Sequence, residues 1–218
     1  MAQWLSDLWK NLHTSDVWVD WAWGGKAKGI TMEGGAVDNS PLLEYLQGIA
    51  SEFSEAARRF VISTVNVNTG EYTQFTEKDL SISEVAEAAF SSASIPFVFP
   101  PNHWDDKGIF MDGGTVYNIN AEGVIASCLD GIVDDESKII LDVVLCSNHD
   151  MPAEDNVGKV IGNYQRGKNI RGFYSSSDTL AFTMKGHPNI NWRYILHEST
   201  AMGGFHQLNF EGDYTWPA

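Results

Sequence analysis

The segment from Ser91 to Asn118 constrains the fold more than any other part of the chain. It begins Ser-Ser-Ala-Ser-Ile-Pro-Phe-Val-Phe-Pro-Pro and reaches Asp112-Gly113-Gly114 after the short apolar run Ile109-Phe110-Met111. That run is typical of a strand. The two glycines predict a tight turn, because glycine tolerates positive φ and allows another group to approach the backbone closely. Asp112 is therefore expected at a strand end, where a carboxylate can face a cleft as a general base does.

In this order of motifs the segment resembles the C-terminal catalytic half of a patatin-like phospholipase. That family uses a Ser–Asp dyad, and its Asp lies in an Asp-Gly-Gly or Asp-Gly-Ala motif downstream of a Ser-Ser-Ala-x-Pro-like segment. The resemblance implies that Asp112 is the general base that accepts the proton, with Gly113 and Gly114 completing the motif. It also implies a three-layer α/β/α fold with a mostly parallel central sheet.

Two further segments carry the resemblance. Gly34-Gly35-Ala36-Val37-Asp38-Asn39-Ser40-Pro41-Leu42 is similar to the family segment that leads into the helix after the nucleophile region. Arg59 to Ile62, continued through Asn68 to Glu71, resembles the strand and turn that follow. The likeness spans roughly residues 30 to 150 and is most specific at Asp112-Gly113-Gly114 and the Ser-Ile-Pro run before it.

The matching nucleophile is not found in the sequence. The family places it in a Gly-x-Ser-x-Gly elbow after a glycine-rich oxyanion loop, and no serine here has glycine both two positions before and two positions after it. The nearest degenerate form, Ala89 to Ala93, is predicted to be a helix end. The pairs Gly24-Gly25, Gly34-Gly35 and Gly203-Gly204 are too scattered for an oxyanion loop. We therefore expect a domain incomplete at its N-terminus, which carries the base only and has no acyl hydrolase activity alone.

Composition and charge bound the remaining properties. A chain of 218 residues with 43% apolar and 20% charged residues is expected to form one soluble domain over residues 1–218. Its net charge of -15 makes nucleic-acid binding improbable and disfavours electrostatic docking on an anionic membrane. The expected partner is a lipid ester or a membrane surface met through apolar contacts. The sequence does not determine the oligomeric state.

Targeting and cofactor signals are not found either. The sequence shows no signal peptide and no run of apolar residues long enough to span a membrane, which favours a cytoplasmic protein or one peripheral to membranes. No cofactor and no metal are predicted. Cys128 and Cys146 are expected to be buried free thiols rather than a disulfide.

Hydrophobic periodicity predicts helices interleaved with strands. An opening helix over residues 4–12 is followed by a glycine-rich loop over 24–35, and Ser81 with Glu84 forms a predicted capping box. The other predicted elements are a helix over 41–56, a hairpin of strands 60–67 and 71–75, a helix over 121–129 ending near Gly131, a strand over 139–146 buried on both faces, a helix over 157–166, and a strand over 192–196.

Several alternatives remain open. Asp112 has a structural interpretation, in which its side chain only closes the glycine turn through hydrogen bonds. His103, Asp105 and Asp106 form an acidic group without metal-ligand spacing, and His197-Glu198-Ser199 with His206 is a weak candidate triad. The functional interpretations are a patatin-like acyl hydrolase of phospholipid or neutral-lipid esters, an inactive homologue that binds lipid or protein, and an unrelated α/β binding module with an aromatic N-terminal contact surface.

Overall fold

A computed structural model describes residues 2–146, 150–151, 153, 159–197 and 208–211 of the chain. The chain divides into two compact units, one formed by residues 1–116 with 202–218 and the other by residues 117–201. Both units combine helices with strands, so the predicted mixture of the two is confirmed. A single domain over 1–218 stays a prediction.

Helices dominate the N-terminal part of the first unit, which contains α1 (Ala2–Lys10), α2 (Thr14–Val17), α3 (Gly25–Met32) and α4 (Ser40–Ser51). The opening helix is thus confirmed, whereas the glycine-rich loop predicted over 24–35 is wrong for most of its length. Gly29 lies inside α3. It is needed there because another part of the backbone packs closely against it, and it does not provide the flexibility of a loop. A Cβ on Gly29 would lie 2.4 Å from the carbonyl oxygen of Ala36.

The start of α4 differs by one residue from its predicted position. The helix predicted over 41–56 begins at Ser40, and Asn39 is its cap. The backbone N–H of Ser40 donates to Oδ1 of Asp38 at 2.9 Å, so a side chain two residues earlier satisfies this free helix-end donor. The helix ends at Ser51, five residues before the predicted end.

A four-stranded sheet forms the centre of the first unit, with strands β1 (Val61–Asn66), β2 (Tyr72–Thr76), β3 (Asn102–Trp104) and β4 (Gly108–Asp112) in the order β2-β1-β4-β3. The predicted hairpin over 60–75 is confirmed as β1 and β2. All three pairings are antiparallel, so the expected mostly parallel central sheet is wrong for this unit. The turns that join β1 to β2 and β3 to β4 are too short for the crossover that a parallel pair requires.

Helix α5 (Ile82–Ser92) packs on this sheet. Its predicted capping box is confirmed: the backbone N–H of Ser81 donates to Oε2 of Glu84 at 2.8 Å, and the hydrogen bonds from Ser81 lower the pKa of Glu84 to about 2. The core beneath α5 joins the buried side chains of Phe75, Ala88, Trp104 and Phe110. Its rings meet at angles typical of aromatic pairs, with centroids 5.2 Å apart for Phe75 and Trp104.

The second unit contains α6 (Ala121–Leu129), β5 (Ile140–Leu145), α7 (Val160–Gly186) and β6 (Asn191–His197). The predictions of α6 and β6 are confirmed, and Gly131 has the positive φ, +84°, expected after a helix end. Strands β5 and β6 pair in parallel. The prediction that β5 is buried on both faces is wrong, because Val143 and Leu145 are buried while Ile140 and Val144 are 57% and 71% exposed.

Helix α7 is 27 residues long, much longer than the helix predicted over 157–166. Its sequence distributes apolar and polar residues around the helix, so hydrophobic periodicity does not show it. Among the described residues, no helix is both long and apolar enough to cross a membrane. Both cysteines are free as expected, but Cys128 is only half-buried and Cys146 is exposed, so their predicted burial is wrong.

His187 ties three elements of the second unit together at the C-terminal end of α7. Its Nδ1 lies 2.6 Å from Oε1 of Glu136, in the 3-10 helix Glu136–Lys138, and its Nε2 lies 3.0 Å from Oε2 of Glu122, in the first turn of α6. Ionised carboxylates only accept hydrogen bonds, and a neutral imidazole has only one N–H. The arrangement therefore requires the doubly protonated ring, and the hydrogen bonds to Glu136 and then Glu122 raise the pKa of His187 above 6.5.

Replacing His187 by Gln should remove a pH-dependent part of the stability. Because the folded state holds the proton more tightly, the stabilisation is complete below pH 6.5 and is lost as the pH rises through the raised pKa. Denaturant unfolding from about pH 6 upward should show stability falling with pH in the wild type and a flatter dependence in His187→Gln. His103→Gln, at an exposed position of β3, is the control. An unchanged slope in His187→Gln would contradict the assignment.

Candidate active site

Asp112 is the last residue of β4, and its backbone is fixed on two sides. It pairs with Thr64 of β1, a residue that is fully buried. Its backbone N–H donates to the carbonyl oxygen of Ser94, just after α5, at 3.0 Å. The expected strand-end position is confirmed, and the carboxylate is therefore carried by the interior of a sheet and not by a mobile loop.

The two carboxylate oxygens of Asp112 have different environments. Oδ1 accepts a hydrogen bond of 2.7 Å from the backbone N–H of Gly114, at the start of the 3-10 helix Gly113–Thr115. Oδ2 accepts no hydrogen bond from the residues that the structure describes. The side chain thus closes the turn, as the structural interpretation expected, and still leaves one oxygen able to accept a proton.

Partial burial changes the acidity of this carboxyl group. Desolvation raises the pKa of Asp112 above its ordinary value of 3.8, and the hydrogen bond from Gly114 opposes the shift without cancelling it. Asp79 and Asp135, which cap turns at exposed positions, have lowered pKa values because hydrogen bonds to the charged form outweigh their slight desolvation. The direction of the shift at Asp112 is the one that makes a carboxylate a better base.

Gly113 is required for close packing. It is buried, and a Cβ at this position would lie 2.4 Å from the carbonyl oxygen of Ser63 and 2.7 Å from its carbonyl carbon. Neither Gly113 nor Gly114 has a positive φ, so the turn does not use the backbone freedom that its sequence indicates. The glycine is needed because β1 runs directly against the backbone beside Asp112.

Two serines of the Ser-Ser-Ala-Ser segment that precedes β3 serve the scaffold. Ser91 is fully buried and its Oγ accepts a hydrogen bond of 2.9 Å from Nδ2 of Asn102, which also donates to Glu87 at 3.1 Å. Ser94 is fully buried as well, and its hydroxyl donates to the carbonyl oxygen of Phe90 at 2.9 Å. The prediction that Ala89 to Ala93 is a helix end is confirmed. In the described part of the chain, no serine hydroxyl bonds to Asp112.

The segment with Gly34 and Gly35 lies against the proline segment that precedes β3. The backbone N–H groups of Ala36 and Val37 donate to the carbonyl oxygens of Phe97 and Val98 at 3.0 and 3.1 Å. A Cβ on Gly35 would lie 2.4 Å from the backbone of Phe99 and from the nitrogen of Pro100. Two segments that carry the family resemblance are therefore neighbours in the structure. The amides of Ala36 and Val37 are engaged in hydrogen bonds within the chain.

Asn39 has a buried amide that the sequence does not single out. Its side chain is 2% exposed, and Nδ2 has no hydrogen-bond partner among the described residues. Such a donor costs about 1–3 kcal/mol of stability unless a partner satisfies it. The Asp38-Asn39-Ser40-Pro41 sequence indicates a helix start, which is the only signal that could have pointed to this residue.

The weaker candidate sites are either exposed without metal-binding geometry or lie mostly outside the described residues. His103, Asp105 and Asp106 are exposed around the β3–β4 turn, where Asp106 has a positive φ of 65°. No group of three or more His, Cys, Asp or Glu residues within the described ranges is placed to hold a metal ion. His197 ends β6, while Glu198, Ser199 and His206 of the candidate triad lie outside the described residues, as do Gly203 and Gly204.

Comparison with known proteins gives one positive result. A family model described as patatin-like phospholipase matches residues 1–125, which is more than half of the chain. The match includes the Gly34–Leu42 segment, α5 and the Asp112-Gly113-Gly114 turn. No curated protein matches the chain.

Replacing Gly113 by Ala should destabilise the first unit by at least about 2 kcal/mol, since the added methyl group meets backbone atoms that must shift. The matched control is Gly48→Ala in α4, where an added Cβ meets nothing within 4 Å. That change should be neutral or stabilise by up to about 1 kcal/mol. Denaturant unfolding of both variants makes the comparison. Equal stability of the two variants would show that the contact with Ser63 does not constrain the turn.

Proposed function

The chain belongs to the patatin-like phospholipase family, and on that premise we propose that Asp112 is the general base of a lipid acyl hydrolase. One observation carries the proposal: a half-buried carboxylate on an interior strand has a raised pKa and keeps one oxygen without a hydrogen bond from the described residues. Gly113 and Gly114 hold it there, one through close packing and the other through its N–H.

The proposed reaction is acyl transfer through a Ser–Asp dyad. A serine hydroxyl attacks the carbonyl carbon of a lipid ester and its proton passes to Oδ2 of Asp112. The bond to the leaving alcohol then breaks, and that alcohol takes the proton as it departs. Water repeats the sequence on the acyl-serine and releases the fatty acid. The transfer requires the hydroxyl within about 2.6–3.2 Å of the carboxylate, and the raised pKa of Asp112 favours it.

The 218 residues supply the base and not the other parts of this machinery. The sequence has no Gly-x-Ser-x-Gly elbow, and Ser91 and Ser94, which precede β3, are buried and hydrogen-bonded. Oxyanion-hole donors contribute roughly 3–4 kcal/mol each to transition-state stabilisation, and a base alone does not replace them. The proposal therefore assigns the nucleophile and the oxyanion donors to polypeptide outside these residues, with this chain as the C-terminal portion of the domain.

The proposed setting follows from the same chemistry. The substrate is a phospholipid or neutral-lipid ester, presented in a membrane or another lipid surface. The protein is then cytoplasmic or peripheral to a membrane. The absence of a membrane-spanning helix among the described residues is compatible with that setting.

The second candidate is an inactive homologue that binds lipid or a partner protein. The missing elbow favours it, since a chain that has lost its nucleophile can keep the fold of the site. It makes a different prediction for Asp112, whose carboxylate would then have no effect on any hydrolytic reaction.

The purified chain should show no ester hydrolysis with p-nitrophenyl butyrate and no labelling by a fluorophosphonate probe. Both results follow from the missing nucleophile, because the probe reacts only with an activated serine. Hydrolysis that disappears in Asp112→Asn would refute this prediction. Mass spectrometry of the labelled peptide would then identify the serine that does the chemistry.

The role of Asp112 is tested in the protein encoded by the full-length transcript. If that protein contains a Gly-x-Ser-x-Gly elbow, Asp112→Asn should lower kcat by about 10²–10⁴, since Asn keeps the acceptor for Gly114 but cannot take a proton. Asp105→Asn, in the exposed β3–β4 turn, is the matched control and should leave kcat unchanged. An active enzyme that tolerates Asp112→Asn would overturn the proposal, and a complete protein without an elbow would favour the inactive homologue.

A further inference from the structure

Helix α7 presents a long exposed face that combines aromatic and cationic side chains. Residues three or four positions apart along a helix lie on the same side. We call this side the basic face of α7, and its members are Val160, Tyr164, Lys168, Arg171, Tyr174 and Phe182. All six are exposed, with Val160 at 88% and Tyr164 and Phe182 at 69% each.

The packing of α7 within its unit leaves this face uncovered. Leu180 and Thr183 are buried on the opposite side of the helix, and Leu180 belongs to a core cluster with Val143 and Leu145 of β5. Of the residues from 160 to 178 whose exposure is described, none is buried. The helix is thus anchored near its C-terminal end, while none of its described side chains from 160 to 178 belongs to a buried apolar cluster.

The N-terminal part of α7 carries a positive charge, whereas the chain as a whole carries a negative one. Residues 159–177 contain no Asp or Glu, in a protein with a net charge of -15. The segment carries the basic residues Lys159, Arg166, Lys168 and Arg171. The acidic residue that follows on the same face is Asp178, two turns beyond Arg171. Charges more than about 10 Å away are largely screened at physiological salt.

Three glycines weaken the same part of the helix. Gly162, Gly167 and Gly172 fall within α7, and a Cβ at any of them would meet nothing within 4 Å. Close packing inside this chain therefore does not require them, while glycine disfavours an exposed helix. A helix of this composition gains stability when a surface covers one of its faces.

We propose that the basic face of α7 docks on an anionic lipid surface. Tyrosine and phenylalanine side chains enter the headgroup region, and Lys168 and Arg171 lie beside the lipid phosphates. A flat surface suits the face, since its six members extend along about 33 Å of one helix side. The net charge of the chain opposes such docking, but the local run of cations without acidic residues supports it within the screening distance.

Charge also argues against a symmetric dimer in which the basic faces of two copies meet. Two basic faces that meet would bring Lys168 and Arg171 of both copies together without acidic partners on that part of the helix.

The docking proposal does not rest on hydrolase chemistry. A chain without activity would bind lipid equally well, so failure of either proposal leaves the other standing.

The test is co-sedimentation of the purified chain with vesicles of phosphatidylcholine and phosphatidylglycerol in equal parts, with pure phosphatidylcholine vesicles as the neutral reference. The wild type should bind the anionic vesicles more tightly and gain helicity in circular dichroism as it does so. Lys168→Gln with Arg171→Gln should lower the partition coefficient roughly thirtyfold, from about fivefold for each basic residue near an anionic surface.

Arg58→Gln with Lys78→Gln is the matched control, because both residues are exposed in the first unit and the change in net charge is the same. This control should bind as the wild type does. Equal loss in the two double variants, or no preference of the wild type for anionic vesicles, would overturn the proposal. So would a dimer in sedimentation velocity that Lys168→Gln with Arg171→Gln dissociates, since the face would then be covered by a second copy.

Discussion

The candidate site depends on how closely the backbone after β4 approaches β1. Gly113 lies so near the carbonyl group of Ser63 that no side chain fits between them. This contact fixes the turn that follows Asp112. The pairing with Thr64 fixes the backbone of Asp112 itself. The carboxylate consequently has a defined position without a partner side chain among the described residues, as a general base requires before its substrate arrives.

The partly buried position of Asp112 also affects the stability of the fold. Burial raises the pKa of Asp112, so the folded state binds the proton more tightly than the unfolded chain does. Above pH 3.8 the ionised carboxylate therefore lowers the stability of the fold, progressively as the pH rises through the raised pKa. Capping carboxylates such as Glu84 behave in the opposite way, because hydrogen bonds to the charged form stabilise the fold.

The sequence predicts local features well where a few neighbouring residues determine them. The capping box at Ser81, the β1–β2 hairpin and the strand end at Asp112 all follow from short motifs. The sequence does not predict features that depend on contacts between separate elements. The packing role of Gly29 depends on Ala36, and β5 is covered on one face only. The net charge likewise gives no sign of the local cations on α7, a helix without hydrophobic periodicity.

Asp112 is tested most directly as a general base by titrating its carboxyl group in the folded chain with carbon-13 NMR. The variant Asp112→Asn assigns the signal. We expect a pKa above 3.8 for Asp112, because desolvation outweighs the single hydrogen bond from Gly114. A pKa at or below 3.8 would contradict it. The carboxylate would then be a turn cap stabilised in its charged form, and the case for Asp112 as a base would be lost.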